Sequence, residues 1–146
     1  MKSHILTFIL VILVGISLQP GHAQQPKNQA LVAYSVTGIN AKSTGATTIF
    51  TTEGERFHPL FIVTEITAAT SLTIGATASV GTNSSSFNNI MAASVTGTTV
   101  NNMLPNALSA LTDSVAPGTA VKVNVSIAAT GTSGTLSVTV IGFYSN

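Results

Sequence analysis

From Leu31 onward the chain alternates apolar and polar residues with a period of two, in runs broken by Gly, Asn, Ser and Pro. Successive side chains of an extended strand point to opposite faces, so such runs predict strands with one buried and one wet face. Val121 to Ala128 is the clearest. Val121, Val123, Val125 and Ile127 share one face there, and Lys122, Asn124 and Ser126 the other. Leu31 to Thr37 sets Val32, Tyr34 and Val36 on one side, and Ser71 to Val80 alternates Leu72, Ile74, Ala76, Ala78 and Val80 with small polar residues. Thr135 to Tyr144 turns Leu136, Val138 and Val140 inward and sets Ile141 and Phe143 on the opposite face near the C-terminus.

Thr47 to Thr52 is a shorter β-rich run that passes through Glu53-Gly54-Glu55, read as a turn, into Arg56 to Thr67. That segment is apolar on both sides, with Phe57, Phe61 and Val63 on one face and Leu60, Ile62 and Ile66 on the other. Such a strand is central between two covered faces or part of a subunit interface. His58-Pro59 marks a bulge or a sheet edge, because proline donates no ladder hydrogen bond. Gly81 to Ser86 reads as a polar loop and Phe87 to Met91 as a bent connection. Leu104, Ala107, Leu108 and Leu111 recur at helical spacing with Pro105 at a first-turn position, which admits one short helix or an irregular strand. About eight short strands, with turns roughly every 8 to 12 residues, predict an all-β fold. The architecture expected is a two-sheet sandwich, jelly-roll or immunoglobulin-like, with room for that one helix.

Ahead of this pattern stands a different one. Lys2 and His4 precede an apolar run from Ile5 to Leu18, and Gln19-Pro20-Gly21-His22-Ala23 supplies small exit residues. A basic start, an apolar middle and a small-residue exit are the order of a secretory signal peptide. The run is shorter than the roughly 20 apolar residues a spanning helix needs. The expectation is cleavage after Ala23, a flexible N-terminal segment over 24–30, and a single domain over 31–146. The product would be secreted, extracellular or periplasmic, with no membrane attachment after cleavage.

Charge then narrows the partners. Outside the leader the cations are Lys27, Lys42, Arg56 and Lys122, and the anions are Glu53, Glu55, Glu65 and Asp113. They cancel, so no basic field is available to hold a nucleic acid. The chain has no cysteine, so stability must come from core burial, sheet hydrogen bonds or association with further copies.

Several stretches carry a resemblance. Ile49-Phe50-Thr51-Thr52 is followed by an Xaa-Gly-Xaa turn, Arg56-Phe57-His58-Pro59 and a hydrophobic strand. Ala68 to Thr73, Val80-Gly81-Thr82-Asn83 and Phe87-Asn88-Asn89-Ile90 come next. Ala116-Pro117-Gly118-Thr119-Ala120 leads into Val121 to Val125, and the chain closes on Val140-Ile141-Gly142-Phe143-Tyr144. This order resembles small β-sandwich modules of phage virion and tail-fibre proteins and of some secreted bacterial proteins. The resemblance implies a sandwich fold and a tendency to assemble, and it brings no catalytic residues to carry over. Two departures stand out. Glu53-Gly54-Glu55 replaces the Pro-Ala-Gly type of turn, and phage structural proteins lack a signal peptide, so a tail-fibre role does not follow.

Catalysis finds little to work with. His58 is the one histidine beyond the leader, no Gly-x-Ser-x-Gly elbow is present, and a carboxylate pair would need two of Glu53, Glu55, Glu65 and Asp113 to converge. One histidine makes no zinc site, and no Asp-rich loop offers a calcium site. The expectation is therefore no enzyme, no cofactor and no metal. Glu65, among apolar neighbours, would pair with Arg56 or lie at a sheet end. Asn83-Ser84-Ser85 and Asn124-Val125-Ser126 match the acceptor sequon for N-glycosylation.

Two classes of function remain. The first is a structural or interaction module that forms a homo-oligomer, or joins another surface protein, through apolar positions Phe61, Ile141 and Phe143. A variant is strand donation, in which Gln29 to Thr37 pairs with a neighbour's open sheet edge, since low charge leaves edges without the lysines that block pairing. The second is an adhesin-like module that recognises a glycan through Asn83, Phe87, Asn88 and Asn89. It would use Tyr34, Phe87 or Tyr144 for stacking if those rings face outward. An outward cluster of Phe and Ile would favour assembly, and an aromatic-floored groove would favour recognition.

Overall fold

A computed structural model describes residues 30–109 and 114–145. The leader, nearly all of the 24–30 segment, Leu111 and Asp113 lie outside those residues. Eight strands are present among the described residues: β1 (Leu31–Asn40), β2 (Gly45–Thr51), β3 (Arg56–Thr70), β4 (Thr77–Gly81), β5 (Met91–Val95), β6 (Met103–Asn106), β7 (Ala120–Ile127) and β8 (Ser133–Ser145). They form two antiparallel four-stranded sheets, sheet A in the order β1-β8-β3-β6 and sheet B in the order β2-β7-β4-β5.

The pairings β1·β8, β2·β7, β3·β6 and β4·β5 are those of one long eight-stranded hairpin folded back on itself and rolled up. This is the jelly-roll wrap, so of the two sandwich topologies the sequence leaves open, the immunoglobulin-like one is set aside. No helix occurs among the described residues. Of the stretch read as a helix or an irregular strand, Leu104 and Pro105 lie in the short strand β6, paired with Thr64 and Val63, while Ala107 and Leu108 follow it in no regular element.

The core is what the alternation demands. Phe57, Ile62 and Ile66 of β3 and Leu136, Val138 and Val140 of β8 pack against Val121, Val123 and Val125 of β7 and Ala78 and Val80 of β4. Burying each of the larger side chains stabilises the fold by about 1.5–3 kcal/mol, which makes up for the absent disulfides. Close packing also fixes a glycine. A Cβ at Gly142 would overlap the His58 carbonyl oxygen and come within 2.5 Å of the Phe57 ring.

Irregularities correct three sequence expectations. The register of β3 on β8 shifts between Pro59 and Phe61, the bulge anticipated at His58-Pro59. It reverses the parity of the strand, so Phe57 faces inward while Phe61 and Val63 face outward, and Leu60, at the bulge, is exposed. Ser71 to Val80 is not one strand. Ser71 adopts a positive φ of 51° at the end of β3, and β4 begins only at Thr77. Ile127 is not inward like Val125, because a register shift between Thr77 and Ala78 against β7 leaves it 62% exposed.

Candidate functional site

The outer face of sheet A follows from its register. Leu31, Phe143 and His58 form one row across β1, β8 and β3, and Ala33, Ile141 and Phe61 form the next. Ser35, Thr139, Val63 and Pro105 make a third row that reaches β6, and Ser137, Glu65 and Met103 a fourth. The result is an apolar field across the central strands of one face, bordered by Glu65 at one end. Phe61, Ile141 and Phe143, chosen from the sequence as assembly positions, stand in adjacent rows, with Ile141 directly opposite Phe61. All three are half-buried through contact within the sheet.

His58 belongs to this face. Its ring stacks on Phe143 with centroids 4.9 Å apart and planes 8° from parallel, and its Nε2 hydrogen-bonds the Ser145 hydroxyl at 2.7 Å. The sequence signalled Phe143 and not this stack, because the pairing of β3 with β8 that creates it spans 85 residues. Leu31, Ala33, Val63 and Pro105 were likewise missed. Their signal was the two-sided apolar character of β3, which names no partner strand.

Charged groups are scattered. Arg56, the first residue of β3, pairs in register with Ser145, and Glu65, well inside the strand, with Ser137 and Met103, so extended chain keeps the two apart and the ion-pair alternative read for Glu65 is not met. Arg56 instead donates to the Ser114 hydroxyl at 3.3 Å. The Lys42 ammonium donates to the carbonyls of Gly131 and Thr132 in the neighbouring turn, and that of Lys122 lies 5.4 Å from the centre of the Phe87 ring. Among the described residues no group of three or more His, Cys, Asp or Glu side chains is placed to hold a metal ion.

The loop read as a ligand site, between β4 and β5, spends its polar groups on itself. Asn89 Oδ1 accepts from the Thr82 amide at 2.8 Å, and Asn83 Oδ1 accepts from the Asn88 amide at 2.9 Å. Asn83 Nδ2 donates to Ser86 Oγ and to Asn88 Oδ1, both at 3.1 Å. Phe87, at a positive φ of 47°, is half-buried beside Lys122. Such side-chain closure is what lets Asn and Ser hold an irregular loop in place of a ladder.

The other two stacking candidates face inward. Tyr34 stacks on Phe50 across the two sheets at 4.1 Å, and its hydroxyl meets that of Tyr144 at 3.0 Å. Burial, followed by the hydrogen bond to Tyr34, holds the Tyr144 phenol well above its usual range. Two shallow concavities of about 340 and 350 Å³ lie at the far end of the sandwich from the Asn-rich loop, on either side of Gly38 and Asn40. Their walls are mainly Thr, Ser, Gly and Asn, with Ile39 and Ala46 in one and Lys42 in the other, and no aromatic ring lines either one.

No family model matches the sequence, and no curated protein matches it either. Solved structures do. A chain of the "Cyanophage Pam1 capsid asymmetric unit" superposes with a TM-score of 0.54 over 88% of this chain and 94% of that one, at 20% identity. A chain of the "Capsid of Ralstonia phage GP4" gives a TM-score of 0.56 over 86% of this chain and 89% of that one, at 16% identity. The chain is similar in fold to these two phage capsid chains, as a two-sheet β-sandwich. The likeness spans nearly the whole jelly-roll, as the turn and strand motifs of the sequence implied, and at these identities it is a likeness of fold.

Proposed function

We propose that this chain is a non-catalytic structural module that assembles with copies of itself through the outer face of sheet A. The observation that carries the reading is the run of apolar rows made by Leu31, Phe143, Ala33, Ile141, Phe61, Val63 and Pro105 on a face that the sandwich core does not use. Contiguous apolar surface of this kind marks interaction sites in soluble proteins. The two solved structures of like fold, both from phage capsids, support an assembly role.

The leader order from Lys2 to Ala23 adds that the module works after export, outside the cytoplasm. Light scattering after size-exclusion chromatography of the exported protein tests the assembly reading. A discrete oligomer supports it. A monomer throughout the micromolar range overturns it and turns attention to glycan-array screening of the loops.

A further inference from the structure

A two-sheet sandwich has four strands at its margins, here β1, β6, β2 and β5. None of the four contains Asp, Glu, Lys or Arg; the strand charges Arg56, Glu65 and Lys122 all lie on central strands β3 and β7. Natural sheets defend their margins with lysine, proline, brevity or a bulge, because an open margin offers unpaired backbone groups to any extended chain. Two margins are defended by other means: β6 is four residues long and includes Pro105, and β5 is five residues long. Both lie on one side of the sandwich. The other side is made by β1 and β2, of ten and seven residues, with neither lysine nor proline in either strand.

Of this pair β1 is the more regular. Leu31 to Val36 runs in unbroken register with β8 before a shift at Ile39, whereas β2 shifts after Thr48. Ala33, Ser35 and Thr37, on its outer side, are small and exposed, and among the described residues no further strand pairs with its outer margin. We infer that β1 docks the β1 of a second copy, antiparallel about a two-fold axis, so that sheet A continues across the dimer. This inference rests on the assembly reading and adds to the outer-face contact a second one, at the margin of the same sheet.

Two features of the strand point to a second copy as the occupant. Both partners are uncharged along the contact, so no like charges meet. The alternation is also self-matching: inward Val32, Tyr34 and Val36 of one copy meet inward residues of the other only when residues of equal parity face each other. Leu31 and Ala33 then bring the apolar rows of both copies side by side into one surface.

Equal parity has a geometric consequence. The two-fold axis must pass between a residue and its own counterpart, with Cβ atoms about 4.5–5.5 Å apart, and we place it at or next to Tyr34, in the middle of the regular run from Leu31 to Val36. A residue two positions away lies about 13 Å from its counterpart, at ~3.3 Å per residue. The protein has no cysteine, so single cysteines report cleanly. Ala33→Cys, Ser35→Cys and Thr48→Cys would be made in the full exported chain and oxidised, singly and as a mixture of the first two.

The expected result is one strong disulfide-linked dimer, from Ala33→Cys alone, from Ser35→Cys alone, or from their mixture when the axis passes through Tyr34. Cross-linking from Thr48→Cys alone, or none along β1 while light scattering still shows an oligomer, overturns this inference and leaves the assembly reading standing. A monomeric wild-type protein overturns both.

Discussion

Ile141 and Phe61 face each other across β8 and β3, on the outer side of sheet A, although 80 residues of chain separate them. Each is half-buried without entering the core, so a polar replacement there changes the surface more than the fold. Ile141→Lys should leave the far-ultraviolet circular dichroism and the urea midpoint close to wild type. It should weaken self-association on the order of 100-fold, in keeping with the loss of a central apolar anchor. Sedimentation equilibrium over a concentration series measures the change.

Gly142 stands beside Ile141 with the opposite role. Because a Cβ there meets the His58 carbonyl and the Phe57 ring, Gly142→Ala should destabilise the monomer fold by about 1–3 kcal/mol, the usual cost of overpacking. Urea unfolding should show a lower midpoint with an unchanged slope.

Asn89 holds its loop to the end of β4 through the Thr82 and Asn83 amides. Asn89→Ala leaves those donors without their partner and should cost about 1–2 kcal/mol. Amide hydrogen exchange should rise locally at Thr82 and Asn83, while the oligomer mass should stay as it was. A change in assembly without a change in loop exchange would contradict the structural role given to this loop.

The Tyr144 phenol, raised by burial and by its bond to Tyr34, ionises more easily in the unfolded chain than in the folded one. Its contribution is therefore fully present below the unfolded value near 10 and is lost as the pH climbs from there toward the raised folded value. Alkaline denaturation of wild type should begin above about pH 10. Tyr144→Phe should show a shallower decline over the same range, at the expense of the hydroxyl bond at neutral pH. Absorbance at the phenolate band, followed with stability, distinguishes the two.

Export predicts a new N-terminus at Gln24. Intact mass and N-terminal sequencing of protein recovered outside the cytoplasm check it. A chain that keeps Met1 to Ala23 contradicts the export reading while leaving the fold and the assembly surface untouched.

The inward sets Val121/Val123/Val125 and Leu136/Val138/Val140 were legible because each strand has one wet face, and period-two alternation records that directly. What escaped was local and irregular. Pro59 marks the bulge, but not its effect: the extra residue at Leu60 reverses the side chains from Phe61 to Ile66, until a second shift before Ala68. Ser71 to Ala76 alternates like a strand yet crosses between sheets, since the pattern does not encode which sheet a run joins. The assembly positions Phe61, Ile141 and Phe143 could be picked as surplus apolar residues. That they lie side by side, next to His58, depends on long-range pairing that no local pattern contains. The same holds for the uncharged margins, which become visible only once the strand order is known.

The pairing of β1 with β8 joins the first described strand to the last. Since β8 is also the strand on which β3 is registered, sheet A cannot close until the C-terminal residues have been made. Contacts of such long sequence separation slow folding, so an emerging chain stays uncommitted while it is still short. A copy cut off before Thr135 would lack the strip that ties β1 to β3. Synthesis of β8 thus becomes a condition for forming the outer face at all, since β8 is the strand that joins β1 to β3.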